Sequence, residues 1–599
     1  MCGITGQFSR KKNPEKQICE RMLESIKHRG PDDSGLFLDK GVFLGHRRLS
    51  IQDLSSAGKQ PMWDKEGEVC IIFNGEIYNF NDIKKDLSEY DFKSKTDTEV
   101  IIYAYKKWGL ERALEKFNGM FSFCIYDRSK NKAYFVRDRL GIKPLVYYWD
   151  GEDMIFASEL KAILESGRVK KDIKEEALAD FFIYRYVSAP KTIFKNTYKL
   201  EPGHFLELDL ESFNLDDYCY WELGSNFDNR SEEEIIQEIE DLIKDSINLR
   251  LISDTPVGSF LSGGIDSSLI TTIAGERNPD IKAFSIDIQP DEYSEIEFAR
   301  HLAEEKNLKL KAKRVGKHDF KQNFNDIVAH YDEPFADSSL VPTYLLCKMV
   351  REQGYKCVLS GDGADEMFYG YNWYRIFEKI YKMKGLRYLP SPALSLMDKI
   401  TDTKLFSLLK NENSEIYRRI MFDRYNVGEI NKIFGYNLDM ENDHLYKEKA
   451  GNIRIDPSNI NYLDLKTFLV DDILYKVDIA SMANSLEVRV PFLDHRLVEL
   501  VFSLKLKLLY KNKDKKYLLK KIARKYIPEK NIDRKKKGFS APVMEWIGRD
   551  FYKEIMGGDM IKEGFVSEDV MKNFLDNEKD QGKIWQMFMF EKWFSHYLS

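Results

Sequence analysis

The stretch Ser259-Phe260-Leu261-Ser262-Gly263-Gly264-Ile265-Asp266-Ser267-Ser268 decides how the rest of the chain is read. An apolar run, Pro256 to Leu261, breaks into two glycines, an acid and two hydroxyls, and a helix-forming segment, Leu269 to Ala274, follows. That order predicts a strand, a tight turn and a helix N-terminus, where backbone N–H groups and the helix dipole hold an anion. Gly263 and Gly264 let the backbone approach the anion without a Cβ in the way. Ser262, Ser267 and Ser268 add hydroxyl donors, while Asp266 repels a bare phosphate and makes sense as a ligand of a bridging Mg2+. The G-x-x-x-x-G-K-[ST] pattern of loops that handle a γ-phosphate is absent. For the SGG alone a serine-capped glycine turn is the plainer alternative; the whole S-G-G-x-D-S-S string is far more specific.

Downstream, Ala283-Phe284-Ser285-Ile286-Asp287-Ile288 reads as a second buried strand. Cys357-Val358-Leu359-Ser360-Gly361-Asp362-Gly363-Ala364-Asp365-Glu366 reads as a third, ending in glycines and acids. Helical stretches, Glu295 to Lys306 and Pro342 to Gln353, alternate with these and predict a parallel, doubly wound sheet. Ligands of such sheets sit at the carboxyl ends of the strands, so the three ends should converge on one site. Between the second and third strands, Tyr331-Asp332-Glu333-Pro334-Phe335-Ala336-Asp337-Ser338-Ser339 has no role that follows from its residues, and a solvated acidic turn around Pro334 is its plainest account. Upstream, Ser231 starts an acidic amphipathic helix, Glu232 to Leu249, and the polar gap Gly224 to Arg230 is the expected linker.

A chain of 599 residues carries a prior of roughly four domains, or fewer if they are large. At 43% hydrophobic and 13% aromatic, it can bury substantial cores. Lys+Arg at 92 against Asp+Glu at 98, a net charge of -6, argues against a general nucleic-acid binder. The basic run Arg534-Lys535-Lys536-Lys537 reads as a solvated face. Seven scattered cysteines without a CxxC suggest neither a disulfide framework nor a zinc site. With no membrane-length apolar run and no signal peptide, a soluble cytoplasmic protein without membrane or nucleic-acid partners is expected.

The N-terminus reads Met1-Cys2-Gly3-Ile4-Thr5-Gly6. If Met1 is removed, Cys2 carries both a thiol and an α-amine, and an α-amine titrating at roughly 7.7–8.0 can act as base for its own side chain. Alone, Cys2 reads equally as an incidental buried thiol. His28-Arg29-Gly30-Pro31-Asp32 is a turn-rich polar string, and Gly45-His46-Arg47-Arg48-Leu49-Ser50-Ile51 ends a strand. Phe73-Asn74-Gly75-Glu76-Ile77-Tyr78-Asn79 follows the apolar strand Val69 to Phe73, and Thr96-Asp97-Thr98-Glu99 opens a helix. Taken singly, Asn-Gly is the commonest hairpin turn and Asp97 suits a helix cap.

In this order the strings resemble a class II (N-terminal nucleophile) glutamine amidotransferase domain, from Cys2 to about Leu200. Met120-Phe121-Ser122-Phe123 and Arg137-Asp138-Arg139-Leu140-Gly141-Ile142-Lys143-Pro144-Leu145 continue the match. By that resemblance Cys2 attacks the glutamine carboxamide, and Asn74 with the Gly75 backbone holds the oxyanion. Arg48 would pair with the substrate carboxylate, and Glu76 and Asp97 would bind its α-ammonium. Strands Ala133 to Arg137, Leu145 to Trp149 and Asp153 to Ala157 suit the stacked-sheet fold of that family. Phe156-Ala157-Ser158-Glu159-Leu160-Lys161-Ala162 also matches, and reads as well as an ordinary strand-to-helix passage.

The S-G-G-x-D-S-S string resembles the PP-loop of enzymes that split ATP between the α and β phosphates and activate a substrate as its adenylate. Most of Glu232 to Lys537 resembles the synthetase domain of asparagine synthetase. That resemblance implies an adenine pocket at Leu261, Ile286, Ser360 and Gly361, and Mg2+ ligands at Asp266 and Asp365, since two carboxylates flanking phosphate need a cation between them. Asp362 lies where many members carry a Glu proposed to aid attack of ammonia, and is one methylene shorter. Lys476-Val477-Asp478-Ile479-Ala480-Ser481-Met482-Ala483 and Leu486-Glu487-Val488-Arg489-Val490-Pro491-Phe492-Leu493-Asp494 match at length. Packing as a core helix and turn is the simpler account of both, with Arg489 open to pairing with phosphate or a substrate carboxylate. Lys516 aligns with a family lysine that neutralises charge in the acyl-adenylate transition state; Lys513, Lys515, Lys520 and Lys521 nearby make a solvated basic face the competing reading. Lys535-Lys536-Lys537-Gly538-Phe539-Ser540-Ala541-Pro542 resembles the family too, and beyond about Trp546 helices carry little chemistry.

The implied fold is an α+β N-terminal nucleophile (αββα) glutaminase domain, residues 2–205, followed by an α/β PP-loop ATP-pyrophosphatase-like synthetase domain with added helices, residues 230–599. The implied activity is ATP-dependent, glutamine-hydrolysing amide synthesis through an acyl-AMP and internally passed ammonia. Its substrates are glutamine, ATP and a carboxylate: aspartate by default, giving asparagine, AMP and pyrophosphate, or a sugar uronic acid or other carboxylate as the alternative. The oligomeric state stays open, a homodimer included. A non-catalytic glutamine or nucleotide sensor is disfavoured by Cys2, Asn74, Asp97, Asp266 and Asp365 occurring together. N-terminal nucleophile amidotransferases of other kinds are disfavoured because they lack SGGIDSS.

Overall fold

Gly3–Ser9 follows Cys2 directly and lies antiparallel between Val42–Arg48 and Asp153–Ala157, with Gly3 opposite Arg47 and Thr5 opposite both Gly45 and Ala157. Asp33–Asp39, Val146–Trp149 and Thr197–Lys199 complete this six-stranded sheet. A second antiparallel sheet of six runs Leu215–Cys219, His204–Asp209, Lys132–Arg137, Gly119–Asp127, Val69–Ile77, Met62–Trp63. Ile4, Phe8, Val42 and Leu44 of the first sheet meet Cys70, Ile72, Cys124 and Phe135 of the second in one buried layer, as face-to-face sheets require. Lys16–Ser25, Leu160–Leu164 and Glu175–Tyr184 cover the outer face of the first sheet, and Phe80–Asp86, Asp97–Trp108 and Leu110–Lys116 that of the second. The expected αββα stack is therefore present. The second sheet runs on through Leu215–Cys219, past the 205 expected for the end of this unit.

The computed structural model describes residues 1–224, 230–401, 406–422, 424–438, 445–451, 453–511, 514–534 and 538–599. Residues 225–229 of the expected linker, Lys513, and Lys535, Lys536 and Lys537 of the basic run lie outside these. Among the described residues no helix is long and apolar enough to cross a membrane.

Beyond the linker, Ser231 caps the helix Glu232–Arg250 reciprocally with Glu234, the capping-box arrangement. A five-stranded parallel sheet follows, ordered Lys309–Val315, Lys282–Ile288, Val257–Phe260, Cys357–Leu359, Glu487–Arg489. The chain enters at the middle strand, winds outward to Lys309–Val315, then returns to the other side. The strand order therefore reverses between Val257–Phe260 and Cys357–Leu359, and ligands of such sheets bind at that crevice. Two outer strands extend the three that were expected. Glu487–Arg489, anticipated as core helix and turn, is an edge strand preceded by the helix Tyr475–Met482.

The two units share one continuous apolar core: Phe181 and Phe182 set their rings 5.9 and 5.4 Å from Phe590. Buried charges cross the same boundary. Tyr331–Ser339 is no solvated turn: Asp332 and Glu333 are 2% and 3% exposed. Asp332 accepts the Lys161 N–H at 3.0 Å, and Glu333 pairs with Lys199 at 2.7 Å. Carboxylates removed from water need such partners, and these acids find theirs in the other unit.

Candidate active sites

The first site gathers at the end of Gly3–Ser9. The backbone N–H of Cys2 donates to Asn74 Oδ1 at 3.0 Å, and Arg29 Nε donates to the Cys2 carbonyl at 3.1 Å. Burial raises the Cys2 thiol above its ordinary value, against a Leu49 backbone hydrogen bond and the Arg48 charge, which favour the thiolate. Asn74-Gly75 is not a hairpin turn. The strand continues through it to Ile77, with Asn74 opposite Ser122 and Gly75 opposite Phe121. A Cβ on Gly75 would stand 2.1 Å from the Met120 carbonyl oxygen, so the pairing there requires glycine.

Arg48 directs Nη1 at the Ser55 carbonyl, 2.8 Å away, and Nη2 at that of Asp53. Asp97 does not cap its helix: Oδ2 accepts the Ile77 N–H at 2.7 Å, and burial pushes the carboxyl up to about 7. Glu76 accepts from Gln52 Nε2 at 2.6 Å and stands 3.2 Å from Arg489 Nη2; its carboxyl is also raised by burial, with Arg489 opposing. Sequence reasoning left Arg29 as part of a polar turn. Its guanidinium is buried and ties Cys2 to Glu159 (2.7 Å) and, across the unit boundary, to Asp478 (2.8 Å). The FASELKA string thus supplies the carboxylate that orients the arginine behind Cys2.

The second site is a cavity of about 640 Å³ at the reversal of strand order. It brings together Leu261, Ser262, Gly264, Asp266, Ser267, Ile286, Ser360, Gly361, Asp362, Asp365 and Lys516, all expected there. The turn is tight for stated reasons. Gly263 has φ +78°, and a Cβ on it would stand 2.5 Å from the Ala299 nitrogen. Ser262 Oγ accepts the Gly264 N–H at 3.3 Å and meets Ser267 Oγ at 3.0 Å. Ser268 is a correction: it lies one turn into the helix Ile265–Arg277, wholly buried, with its N–H on the Gly264 carbonyl, and it does not reach the cavity. Gly263 likewise faces the neighbouring helix Ile296–Glu305.

Lys516 settles its competing readings. It is 5% exposed, and its Nζ lies 2.7 Å from both Asp266 oxygens and 2.7 Å from Asp365 Oδ1. Two carboxylates converging on one ammonium form a cation site, so they suit Mg2+ chemically as well. Asp362 accepts from Ser360 Oγ at 2.6 Å, and burial raises its carboxyl. Arg534 belongs to no solvated face: it is held by Glu295 at 2.5 Å and lines the cavity beside Gly264. Sequence reasoning missed Lys476, paired with Asp337 at 2.7 Å, and Glu366, whose carboxyl burial pushes up to about 8; both line the cavity. Arg489, left open to phosphate or a substrate carboxylate, is absent from the lining of this cavity and stands against Glu76 of the first site.

The asparagine synthase family model matches residues 238–595, and the glutamine amidotransferase domain model matches residues 1–221. Asparagine synthetase (glutamine-hydrolyzing) 1 of Bacillus subtilis (strain 168) is 32% identical, over 99% of this chain and 96% of that protein. A putative asparagine synthetase (glutamine-hydrolyzing) 2 of Methanocaldococcus jannaschii is 37% identical, over 65% of this chain and 79% of that protein. Amidase chyE of Penicillium rubens is 28% identical, over 93% and 91%. A glutaminase fold joined to a synthetase fold defines a carbon–nitrogen ligase with glutamine as amido donor. Within that class the chain belongs to the glutamine-hydrolysing asparagine synthetase family.

Proposed function

We propose that the enzyme converts aspartate, glutamine and ATP to asparagine, glutamate, AMP and pyrophosphate. Once Met1 is removed, the Cys2 α-amine takes the proton of a thiol that burial holds protonated, and the thiolate attacks the glutamine carboxamide. Asn74 Nδ2 and the Gly75 N–H receive the oxyanion. Arg48 holds the substrate carboxylate, and Glu76 and Asp97 face its ammonium. Released ammonia passes between the units, where a small void is lined by Ile142, Leu145 and Ile479 together with charged side chains, Glu159, Lys199 and Asp478 among them.

In the synthetase unit an aspartate carboxylate oxygen attacks the ATP α-phosphorus and pyrophosphate leaves; ammonia then displaces AMP from the acyl carbon. First-turn N–H groups of Ile265–Arg277, with Ser262 and Ser267, cradle the pyrophosphate. Leu261, Ile286, Ser360 and Gly361 surround the adenine, Lys516 neutralises the α-phosphate, and Asp362 receives a proton from the attacking ammonia. Mg2+ held by Asp266 and Asp365 would supply positive charge between carboxylates and phosphate oxygens.

The observation that carries this reading is the junction of Asp266, Asp365 and Lys516 beneath the Ser262–Ser267 turn. The near full-length likeness to Amidase chyE supports a second reading, in which another carboxylate is the acceptor. Pyrophosphate release should be screened with ATP, glutamine and a panel of aspartate, sugar uronic acids and other carboxylates. Aspartate is expected to give asparagine and pyrophosphate in equal amounts. Pyrophosphate appearing only with a different carboxylate would sink the aspartate assignment.

A further inference from the structure

Glu487–Arg489 is the edge of the synthetase sheet, yet both its charged side chains are wholly buried against the glutaminase unit. Arg489 Nε donates to Glu487 Oε1 at 2.6 Å, Nη1 donates to the carbonyls of Arg250 and Ile252 at 2.8 and 2.7 Å, and Nη2 lies 3.2 Å from Glu76 Oε1. Glu487 Oε2 turns toward Cys2 and lies 2.6 Å from the α-ammonium of Met1. Glu487 thus stands one residue from Cys2 through Met1, and one side chain from Glu76 through Arg489.

The two carboxylates assigned to the substrate ammonium each hold another partner as well. Glu76 gives one oxygen to Arg489 and the other to Gln52. Asp97 accepts the Ile77 N–H, with the N–H groups of Asp97 and Thr98 also favouring its carboxylate. Two buried carboxylates, Glu76 and Glu487, share the guanidinium of Arg489, an imbalance that a cationic ligand relieves. The oxygen that carries an α-ammonium in the structure, that of Met1, is Glu487 Oε2, and removal of Met1 leaves that buried oxygen without its cation.

We infer that Glu487 completes the glutamine pocket from the synthetase unit by binding the substrate's α-ammonium, with Arg489 the positioning residue that joins it to Glu76. The inference rests on the glutaminase reading of Cys2. Glutamine is then gripped by both units at once. The Ser360 N–H donates to the Arg489 carbonyl at 2.8 Å, so the strand that holds the ammonium also borders the adenylate cavity.

The test uses the full chain and compares ammonia release from glutamine with that from glutaramate, which is glutamine without its α-amino group. The wild type is expected to prefer glutamine. Glu487→Gln and Arg489→Lys should each narrow that preference about tenfold or more, since a charge-assisted hydrogen bond is lost for glutamine alone. Glu487→Asp should restore part of it, and thermal melting establishes that each variant is folded. A Glu487→Gln variant that slows both substrates by the same factor, or neither, overturns the assignment. A wild type that releases ammonia from neither substrate overturns the glutaminase reading itself.

Discussion

Asp97 heads the helix Asp97–Trp108 but spends its carboxylate on the Ile77 N–H. Burial holds it near 7 rather than near the ordinary 3.8. An ammonium pairs with the ionised form only, so glutamine kcat/KM should climb from about pH 6 to about pH 8 as Asp97 loses its proton. Asp97→Asn should lower kcat/KM about tenfold at the upper pH and much less at the lower. A raised carboxyl stabilises the fold below its unfolded pKa, and that contribution is lost as pH rises through about 7; Asp97→Asn should therefore melt no lower than wild type at about pH 8. A wild-type profile flat across neutrality would contradict this. At this scale Cys2, Asn74, Asp97, Asp266 and Asp365 were legible because each sits in a local string whose chemistry is recognisable. Arg29 and Glu487 were not, because their partners are the Cys2 carbonyl and Asp478 for one, and an α-ammonium from the other unit for the second.

Among the elements, the turn between Val257–Phe260 and Ile265–Arg277 was legible almost residue by residue, because its glycines answer steric demands. Gly263 combines a positive φ with a close approach to Ala299. Gly263→Val should cost about 2–4 kcal/mol from strain and overpacking. It should also abolish ATP-dependent pyrophosphate release while glutamine hydrolysis persists. Melting together with the two half-reactions checks this, and wild-type pyrophosphate release in the variant would refute it. Ser268 was misplaced because a helix N-terminus turns successive side chains about 100° apart, so two adjacent serines cannot both face the anion. The extension of Val69–Ile77 through Asn74-Gly75 was hidden by the turn signal of Asn-Gly, which its pairing with Gly119–Asp127 overrides. Glu487–Arg489 has three residues, both end ones charged, so neither length nor alternation marks it as a strand.

Across the whole molecule the two units are joined by buried ion pairs as well as by apolar packing. Arg29–Asp478 and Lys199–Glu333 connect residues far apart in sequence, and removing one partner of such a pair typically costs about 3–5 kcal/mol. The order of the two motif sets made a two-unit enzyme legible; the surface along which they meet was not, since a carboxylate in the DEPFADSS string looks the same in sequence whether water or Lys199 faces it. The central claim is that one chain makes ammonia at Cys2 and consumes it at the Ser262–Ser267 turn. Its most direct test is Cys2→Ala, supplied in parallel with glutamine and with free ammonia, and read by pyrophosphate and amide formation. The account predicts no glutamine-dependent product and ammonia-dependent synthesis close to wild type. A folded variant that still uses glutamine, or that fails with ammonia as well, would contradict it.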